Sequence, residues 1–377
     1  MIFKFFLILF FDLLYTIERS KAYYPEEDYP RNIRWKLPIP YVIGCSEFRT
    51  QINEAIKYIQ NETCITFIEK NENEYMGARF LVFIKSNHST KQYFHELVSL
   101  SERCYQRGGC IVKHIVQALG MISPHQRPDR DSFVDIYAGN ITATQRHYFD
   151  KVKERNYYIY GKYYDYGSIT HYPSTWKSKN KKLTISSRDG MHLYNKVMGY
   201  KNYLTFNDKK TLDLYFCRDE IQNHIKRCKI GGYINPKNST ECICPKGFSG
   251  STYCANMSEE EGWQKRKIFL NKTQTYITLK ERSFDYMYYI EGPENRVLRV
   301  SVTNIVVPLN ITCRENHSIE LYFRKDKTAG PLILCSNYTY GFAFTTSTNK
   351  MWIRYHGKKH KLSFDMYIDL AYRKSNS

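Results

Sequence analysis

One short apolar stretch of the chain carries polar side chains at spacings that a metal centre uses. Lys113 and Gln117 are four residues apart, so a helix would place both on one face. Ser123 follows Gly120, where a third ligand would come from beyond the helix. A catalytic zinc needs about three protein ligands and an open position for water, and a nearby carboxylate takes the proton of that water. The spacing therefore matches a hydrolytic metal site.

The residue types at these positions oppose metal binding. Lys113 is expected to be a cation at neutral pH, which would repel zinc. Gln117 offers only a neutral amide oxygen, a ligand that suits hard ions better than zinc. Ser123 offers an alcohol with no reason to ionise, and His114 has no activated water on which to act as a base. We therefore predict no metal at these positions.

A shifted register gives one alternative. If His114 were the first ligand, Ala118 would stand four residues later, and alanine cannot bind a metal. His125 lies two residues past the third ligand position. A site built from His114, His125 and a distant group is the alternative to ordinary surface or second-layer histidines.

Two motifs carry a resemblance to a known family. The stretch from Lys113 to Gly120, with Ala118-Leu119-Gly120 and the run 127–131 fixing the register, resembles the zinc helix of the astacin metalloendopeptidases. That family reads H-E-x-x-H-x-x-G-x-x-H, followed by a run close to R-P-D-R-D. In this register Lys113, Gln117 and Ser123 replace the three zinc-binding histidines, and His114 replaces the glutamate base.

The second motif is Tyr164-Asp165-Tyr166-Gly167-Ser168-Ile169-Thr170-His171-Tyr172, which resembles the family's methionine turn, Y-D-Y-G-S-I-M-H-Y. Tyr172 is retained at the position whose tyrosine assists the zinc site. Thr170 takes the place of the methionine, which is soft and fills space below the metal. This departure matters only if zinc is bound.

The resemblance implies a mixed architecture. We expect an α/β (α+β) zincin-like peptidase domain over residues 34–217, a disulfide-stapled EGF-like module over 218–254 and a CUB-like β-sandwich over 255–370. Residues 1–22 resemble a signal peptide with no membrane span after it, 23–33 form a short lead or residual propeptide, and 371–377 form a tail.

The same resemblance implies disulfide pairs among eleven cysteines, an odd number. Cys64 matches the family's long-range bridge to Cys217, and Cys104, whose usual partner is missing, could pair with Cys110. The EGF-like part implies Cys228–Cys242 and Cys244–Cys254, the CUB-like part implies Cys313–Cys335, and Cys45 is extra.

The composition is that of a basic, folded protein. The net charge is +19 and 42% of the residues are hydrophobic, which favours globular domains that cling to acidic surfaces. Basic runs cover 177–182 and 358–361, and no nucleic-acid motif accompanies them. We expect these runs to be solvated loops, with heparin-like binding as the alternative. Glycosylation sequons occur at Asn61, Asn87, Asn140, Asn238, Asn256, Asn271, Asn310, Asn316 and Asn337.

We therefore expect a secreted, catalytically inactive astacin homologue that needs no cofactor and binds an extracellular protein or peptide. One alternative is an active zinc metalloendopeptidase with a non-standard metal site. Another is a basic surface protein that binds acidic glycans.

Local patterns predict the elements that would position these residues. Strands are expected over Ile39–Ile43, Thr66–Glu69 and Phe80–Lys85, and helices over Phe48–Gln60 and Cys110–Leu119. Thr142-Ala143-Thr144-Gln145 resembles a capping box that opens another helix. Ile319–Arg324 alternates as a half-buried strand would.

Overall fold

The computed structural model of the chain describes fifteen stretches of sequence. They are residues 35–71, 79–86, 97–152, 163–189, 191–199, 203–217, 228–258, 262–271, 274–280, 284–308, 313, 316, 318–336, 341–358 and 362–372. The predicted signal peptide, the lead and all but the start of the predicted tail lie outside these ranges. The described residues up to Met121 form one compact unit, and those from Ile122 onward form a second.

The first unit is built on a parallel sheet. Its strands β1 (Ile39–Ile43), β2 (Phe67–Glu69), β3 (Leu81–Ser86) and β4 (Leu97–Ser101) lie in the order β2-β1-β3-β4, and every neighbouring pair is parallel. β1 is buried along its whole length, as expected of a parallel sheet covered on both faces. The predicted strands are confirmed to within one residue at each end.

Three helices accompany this sheet: α1 (Arg49–Glu62), α2 (Glu102–Tyr105) and α3 (Gly108–Ala118). α1 buries the predicted apolar face, Ile52, Ala55, Ile56 and Ile59. α3 begins two residues before the predicted start and ends one residue before the predicted end. Gly120 has a φ of 109°, the left-handed conformation that commonly follows a helix C-terminus and that glycine adopts without strain.

The first part of the second unit is mostly irregular. Short 3-10 helices cover Pro124–Gln126, Arg130–Ser132, Ala138–Asn140, Ala143–Phe149 and Leu193–Lys196. The strands β5 (Val134–Ile136) and β6 (Ile185–Ser187) pair antiparallel, and α4 (Phe206–Phe216) follows. The capping box predicted at Thr142 is wrong, because the Thr142 side chain makes no cap hydrogen bond and only a 3-10 helix follows it.

A small disulfide-bonded region comes next. β7 (Tyr233–Asn235) and β8 (Asn238–Ile243) form an antiparallel pair. The structure joins Cys228 to Cys242 and Cys244 to Cys254, which are the pairs that the resemblance implies.

The remaining strands form two sheets that share one core. β10 (Thr275–Lys280), β12 (Arg296–Val306), β15 (Phe342–Thr345) and β17 (Ser363–Tyr372) lie in the order β10-β17-β12-β15. β9 (Trp263–Phe269), β11 (Asp285–Glu291), β13 (Ile319–Tyr322), β14 (Leu332–Leu334) and β16 (Lys350–His356) lie in the order β14-β13-β16-β11-β9. Apolar side chains from both sheets pack into one buried cluster, so this region is a β-sandwich.

β13 departs from its predicted alternation. All four of its residues are buried, including Glu320, which is fully inaccessible to solvent. The carboxylate of Glu320 lies 3.2 Å from Nη1 of Arg354 and 3.2 Å from Nε2 of His356. A charged residue is rarely buried without such partners, and both partners lie on β16, the neighbouring strand. Among the described residues, no helix is both long and apolar enough to cross a membrane.

Candidate functional site

Three of the four altered positions of the first motif, Lys113, His114 and Gln117, lie on α3. Its buried face consists of Gly109, Ile111, Val112, Ile115, Val116 and Ala118. Lys113, His114 and Gln117 are half-buried. The helix therefore keeps its packing, and the replacements fall on side chains that the apolar core does not need.

Lys113 is the replaced ligand whose charge the fold affects most. Burial lowers the pKa of its ammonium group to about 7, because a charged group is costly away from water. The cationic form expected at neutral pH is therefore less favoured than in an exposed lysine. The neutral amine offers one nitrogen lone pair, which is a single weak ligand.

His114 lies next to a disulfide bond. Cys104 and Cys110 are bonded to each other, and a ring nitrogen of His114 lies within 4.8 Å of both sulfur atoms. These three residues form the one group of three possible metal-ligating side chains found among the described residues. The disulfide removes both thiolates, which are the species that bind metals.

Ser123 and His125 belong to the second unit. Both are buried, with 1% and 0% of their surfaces exposed. Nε2 of His125 lies 3.2 Å from the backbone oxygen of Tyr148, and its ring centroid lies 5.5 Å from those of Tyr172 and Trp176. The structure therefore places His125 in an aromatic core, so of the two expected placements, surface or second-layer, only the surface one is excluded for it.

The run 127–131 builds the scaffold after the altered helix. Nε and Nη2 of the buried Arg127 donate to the carboxylate of Asp129 at 2.8 and 2.7 Å, the bidentate geometry that arginine forms with carboxylates. Nη1 of Arg130 donates to the backbone oxygens of His125, at 2.8 Å, and Phe149. These residues fix the backbone around His125 without any metal.

The segment 164–172 is held by two buried carboxylates. Oδ1 of Asp165 accepts from the backbone N–H of Gly167 at 2.8 Å, and its Oδ2 accepts from Oγ1 of Thr205 at 2.7 Å. Asp208 accepts from Oγ of Ser168 at 2.7 Å and from the N–H of Ile169 at 2.8 Å. Asp165 and Asp208 therefore fasten the turn to the N-terminus of α4.

Thr205 and Asp208 also form a capping box. Oγ1 of Thr205 accepts from the N–H of Asp208, and the Asp208 carboxylate accepts from the N–H of Thr205, both at 3.0 Å. Burial raises the pKa of Asp208, and the hydrogen bonds from Ile169, Ser168 and Thr205 oppose that rise. Neither residue belongs to a predicted site, although Thr205-Phe206-Asn207-Asp208 carries the capping-box spacing.

The side chain of Thr170 makes two polar contacts in the turn. Its Oγ1 donates to the backbone oxygen of Ile122 at 3.0 Å and lies 3.0 Å from Oγ of Ser168. The hydroxyl that replaces the family's methionine sulfur thus satisfies a backbone carbonyl. The ring of Tyr172, the retained tyrosine, stacks on Trp176 with centroids 3.8 Å apart.

The sandwich also contacts this turn. Nη1 of Arg324 donates to the backbone oxygen of Tyr164 at 2.6 Å. A Cβ atom on Gly330 would lie 2.5 Å from Oδ1 of Asp165, so only glycine allows this close approach. The turn therefore rests on the loop that follows β13.

The donor chemistry of the three family ligand positions does not fit zinc. Lys113 supplies at best one amine, Gln117 a neutral amide and Ser123 a neutral alcohol, whereas zinc sites use thiolate, imidazole and carboxylate ligands. No carboxylate stands at the position of the base, which is His114. These four positions offer no set of ligands for a catalytic zinc.

The other predicted site residues are placed as follows. Ten of the eleven cysteines are disulfide-bonded, among them Cys64, Cys217 and the pair Cys313–Cys335. Cys45 is a buried free thiol 3.0 Å from the hydroxyl of Tyr105, and burial raises its pKa. It is therefore unsuited to pairing with another chain.

The described glycosylation sequons fall into two groups. Asn61, Asn238, Asn256 and Asn271 are exposed. Asn140 and Asn316 are half-buried: Nδ2 of Asn140 donates to the backbone oxygen of Leu183, and Oδ1 of Asn316 accepts from Arg354. Asn87, Asn310 and Asn337 lie outside the described residues.

Comparison with known proteins gives a consistent family. The profile of the astacin family of peptidases matches residues 28–217. Zinc metalloproteinase nas-27 of Caenorhabditis elegans is 26% identical over 340 residues, which cover 81% of this chain and 76% of that protein. Zinc metalloproteinase dpy-31 of the same organism is 31% identical over 257 residues, which cover 65% of this chain and 42% of that protein.

Solved structures give a weaker likeness. High choriolytic enzyme 1, a hatching enzyme zinc-protease from the medaka fish Oryzias latipes, is 23% identical with a TM-score of 0.40, covering 50% of this chain and 94% of that chain.

Proposed function

Because the chain belongs to the astacin family of peptidases, we propose that it is a member whose peptidase scaffold binds an extracellular protein or peptide without cleaving it. The observation that carries this proposal is the donor set. Lys113, Gln117 and Ser123 cannot hold a catalytic zinc, and His114 replaces the carboxylate that would take a proton from its water.

The intact scaffold is compatible with a binding role. The bidentate pair of Arg127 with Asp129, the carboxylates of Asp165 and Asp208, and the capping box at Thr205 are all formed. None of these contacts needs a metal. The scaffold can therefore present a folded surface to a partner whether or not a metal is bound.

The parallel sheet supplies a surface for an extended partner. β4 is an edge strand of this sheet in the described residues. An exposed strand edge pairs with an extended peptide through main-chain hydrogen bonds, with alternate side chains providing specificity. Val98 and Leu100 point into the core, and the intervening positions are half-buried, so the strand is anchored on one face.

Secretion is part of the same proposal. Ten disulfide-bonded cysteines are characteristic of chains that fold in an oxidising compartment. The apolar run near the N-terminus and the exposed sequons agree with this route.

The zinc content of the purified, unreduced protein tests the proposal. We expect well below one zinc per chain by elemental analysis and no hydrolysis of casein or gelatin. About one zinc per chain together with peptidase activity would establish the alternative, an active enzyme with a non-standard site. The protein must stay oxidised, because reduction would free the thiols of Cys104 and Cys110 beside His114 and create an unrelated ligand set of two thiols and an imidazole.

A restoration variant provides the matched control. The combined changes Lys113→His, His114→Glu, Gln117→His and Ser123→His return the family's ligands and base. We expect this variant to take up about one zinc per chain when the wild type does not. That result would show that the scaffold is intact and that the four residues alone account for the loss.

Backbone-modified peptides test the binding mode. A peptide selected from a random library would be N-methylated at alternate residues, which removes main-chain donors and leaves every side chain in place. Pairing with β4 predicts that one alternate set abolishes binding and the other has little effect. Equal effects of the two sets would exclude strand pairing.

A further inference from the structure

A cavity of about 790 Å³ lies within the second unit, and none of the altered metal positions lines it. Five lysines line it: Lys210, Lys229, Lys325, Lys327 and Lys350. They come from α4, from the small disulfide-bonded region and from the sandwich. This volume lies within the range of ordinary small-molecule binding sites.

The elements that line the cavity pack closely against one another. Gly231 has a φ of 76°, and a Cβ atom there would lie 2.6 Å from the Thr328 side chain. Nζ of Lys210 donates to the backbone oxygen of Gly231 at 2.8 Å. The disulfide-bonded region, the sandwich and α4 therefore meet at this point, and the cavity is formed by packed elements.

Positive charge in the cavity is only partly neutralised. Lys350 pairs with Glu291 at 2.8 Å. The one carboxylate in the lining, Asp326, accepts from the N–H and Oγ1 of Thr328 in its own loop. The exposed side chains of Lys229 and Lys325 have no hydrogen-bond or ion-pair partner among the described residues. The lining thus carries an excess of cations that an anion would balance.

Lys327 is the buried member of the set. Only 7% of its surface is exposed, and Nζ donates to the backbone oxygen of Arg324 at 2.7 Å and to Oγ1 of Thr348 at 2.9 Å. An ammonium has three N–H donors, so one remains unused in the described structure. Burial lowers the pKa of Lys327 to about 8, as expected of a cation without a carboxylate in contact.

Trp352 provides a second unsatisfied donor. It lines the same cavity, is 3% exposed, and its indole N–H has no hydrogen-bond partner among the described residues. Nζ of Lys327 lies 5.9 Å from the centroid of the Trp352 ring. A buried donor left unpaired is costly, and a ligand acceptor would remove that cost. Two buried donors of this kind in one cavity indicate an anionic, oxygen-rich ligand.

The strands that line the cavity argue against an extended peptide. β11 pairs with β9 and β16, and β16 pairs with β11 and β13. Neither strand has a free edge, so the ligand must be recognised by side chains. Among the lining residues described there is no arginine, whose fork suits planar bidentate groups. Ammonium groups recognise tetrahedral sulfate equally well as point charges, and Tyr289 and Trp352 add aromatic surface.

We infer that this cavity binds a sulfated oligosaccharide segment of an extracellular acidic glycan. Its sulfate groups would accept from Lys229, Lys325 and Lys327, and a ring or sulfate oxygen would accept from the indole N–H of Trp352. The chain's net charge of +19 would favour the encounter with such a polyanion. This inference is independent of whether the peptidase positions bind zinc.

Calorimetry with a heparin-derived hexasaccharide tests the inference on the full secreted chain. The variant Lys229→Glu/Lys325→Glu changes two exposed lining lysines. The matched variant Lys179→Glu/Lys181→Glu changes net charge by the same amount at exposed positions outside the lining. We expect at least tenfold weaker binding in the first variant and less than twofold change in the second.

Three results would overturn the inference. Equal losses in both variants would mean that net charge alone attracts the glycan. Binding of an oligoglutamate peptide in preference to the hexasaccharide would make the site one for acidic peptides. Equal affinity for inorganic sulfate and the hexasaccharide would reduce it to a site for a single anion.

A spectroscopic readout covers the case in which a variant misfolds. The chain has four tryptophans, so the wild-type protein gives four indole N–H resonances, and Trp352→Phe identifies the one of Trp352. The hexasaccharide should shift this resonance in the wild-type protein. An unchanged Trp352 resonance at saturating hexasaccharide would refute the proposed site.

Discussion

Replacing Glu320 by glutamine is expected to destabilise the sandwich through the charges that remain. The wild-type carboxylate is fully buried and lies 3.2 Å from both Arg354 and His356. It also accepts from the hydroxyl of Tyr322 at 2.8 Å and from the backbone N–H of Asn316. Burial alone would raise the pKa of Glu320, but Arg354, His356 and the hydrogen bond from Asn316 outweigh it and hold the pKa well below its usual range.

The size of the loss in stability follows from the burial of Arg354, the partner of Glu320. Arg354 is 3% exposed, so Glu320→Gln leaves a guanidinium inside the protein without a counter-charge. Removing one partner of a buried ion pair typically costs about 3–5 kcal/mol. We expect about 3 kcal/mol, at the lower end of this range, because the amide oxygen of glutamine still accepts from Tyr322.

Urea unfolding followed by tryptophan fluorescence measures this loss. Trp263 reports on the network, because its ring lies 4.6 Å from the Arg354 guanidinium and 5.1 Å from the His356 ring. With a slope of about 2 kcal/mol per M, a loss of about 3 kcal/mol shifts the midpoint by about 1.5 M. The control is Glu291→Gln, which breaks the more exposed pair with Lys350 and should cost less than about 1 kcal/mol.

The pH dependence of this stabilisation follows from the direction of the Glu320 pKa shift. The folded pKa of Glu320 lies below its unfolded value of about 4.3. The stabilisation is therefore fully present above that value and is lost as the pH falls toward the folded pKa. The difference between wild type and Glu320→Gln should be largest at neutral pH and shrink in acid. A loss below about 1 kcal/mol at neutral pH would refute the reasoning, since it would mean that Arg354 is compensated elsewhere.

Three further predictions concern the turn, the helix and the cavity. Thr205→Ala removes the capping box and the hydrogen bond to Asp165, and should lower the free energy of unfolding by about 1–2 kcal/mol in urea; an unchanged midpoint would contradict the role of this cap. Replacing both Cys104 and Cys110 by serine opens a short loop and should lower the free energy of unfolding by about 2 kcal/mol, because the unfolded chain gains entropy. A smaller difference between this variant and the oxidised wild-type protein would show that the loop is ordered without the bridge. Hexasaccharide affinity should fall as the pH rises from about 7 to about 9, because Lys327, which faces Asp326 and Lys350, loses its proton near its pKa of about 8. Calorimetry at several pH values should show a flatter dependence in Lys327→Gln. A steep dependence in that variant would assign the effect to another group.

Helix α1 and strand β1 could be predicted because their patterns are local. The spacing of Ile52, Ala55, Ile56 and Ile59 defines one helical face, and the structure buries those four side chains. The positions that resemble the family's metal ligands were assigned in a similar way, from the flanking residues that set their register, and this assignment stays a prediction. These features depend on neighbours in sequence.

Features that depend on distant residues could not be predicted. The alternation around β13 suggested an exposed Glu320. Glu320 can be buried because it pairs with Arg354, which comes 34 residues later and which no local pattern indicates. The spacing at Thr142 and at Thr205 fits a capping box equally well, and the structure uses the one whose aspartate also binds Ser168 and Ile169.

The lysine cavity was missed for the same reason. Its lysines lie between residues 210 and 350, whereas the basic runs in the sequence drew attention to 177–182 and 358–361. Only the packing of α4 and the disulfide-bonded region against the sandwich brings those lysines together. No local pattern carries that information.

The contact between Arg324 and Tyr164 limits how freely this protein could exchange parts with its relatives. Chains assembled from modules recombine easily when each module folds behind its own boundary. Here a loop of the sandwich supports a turn that lies 160 residues earlier in the chain. A recombinant that received another C-terminal region would leave the Tyr164 carbonyl without this donor and Asp165 facing a side chain other than Gly330. The two regions are therefore expected to be inherited together.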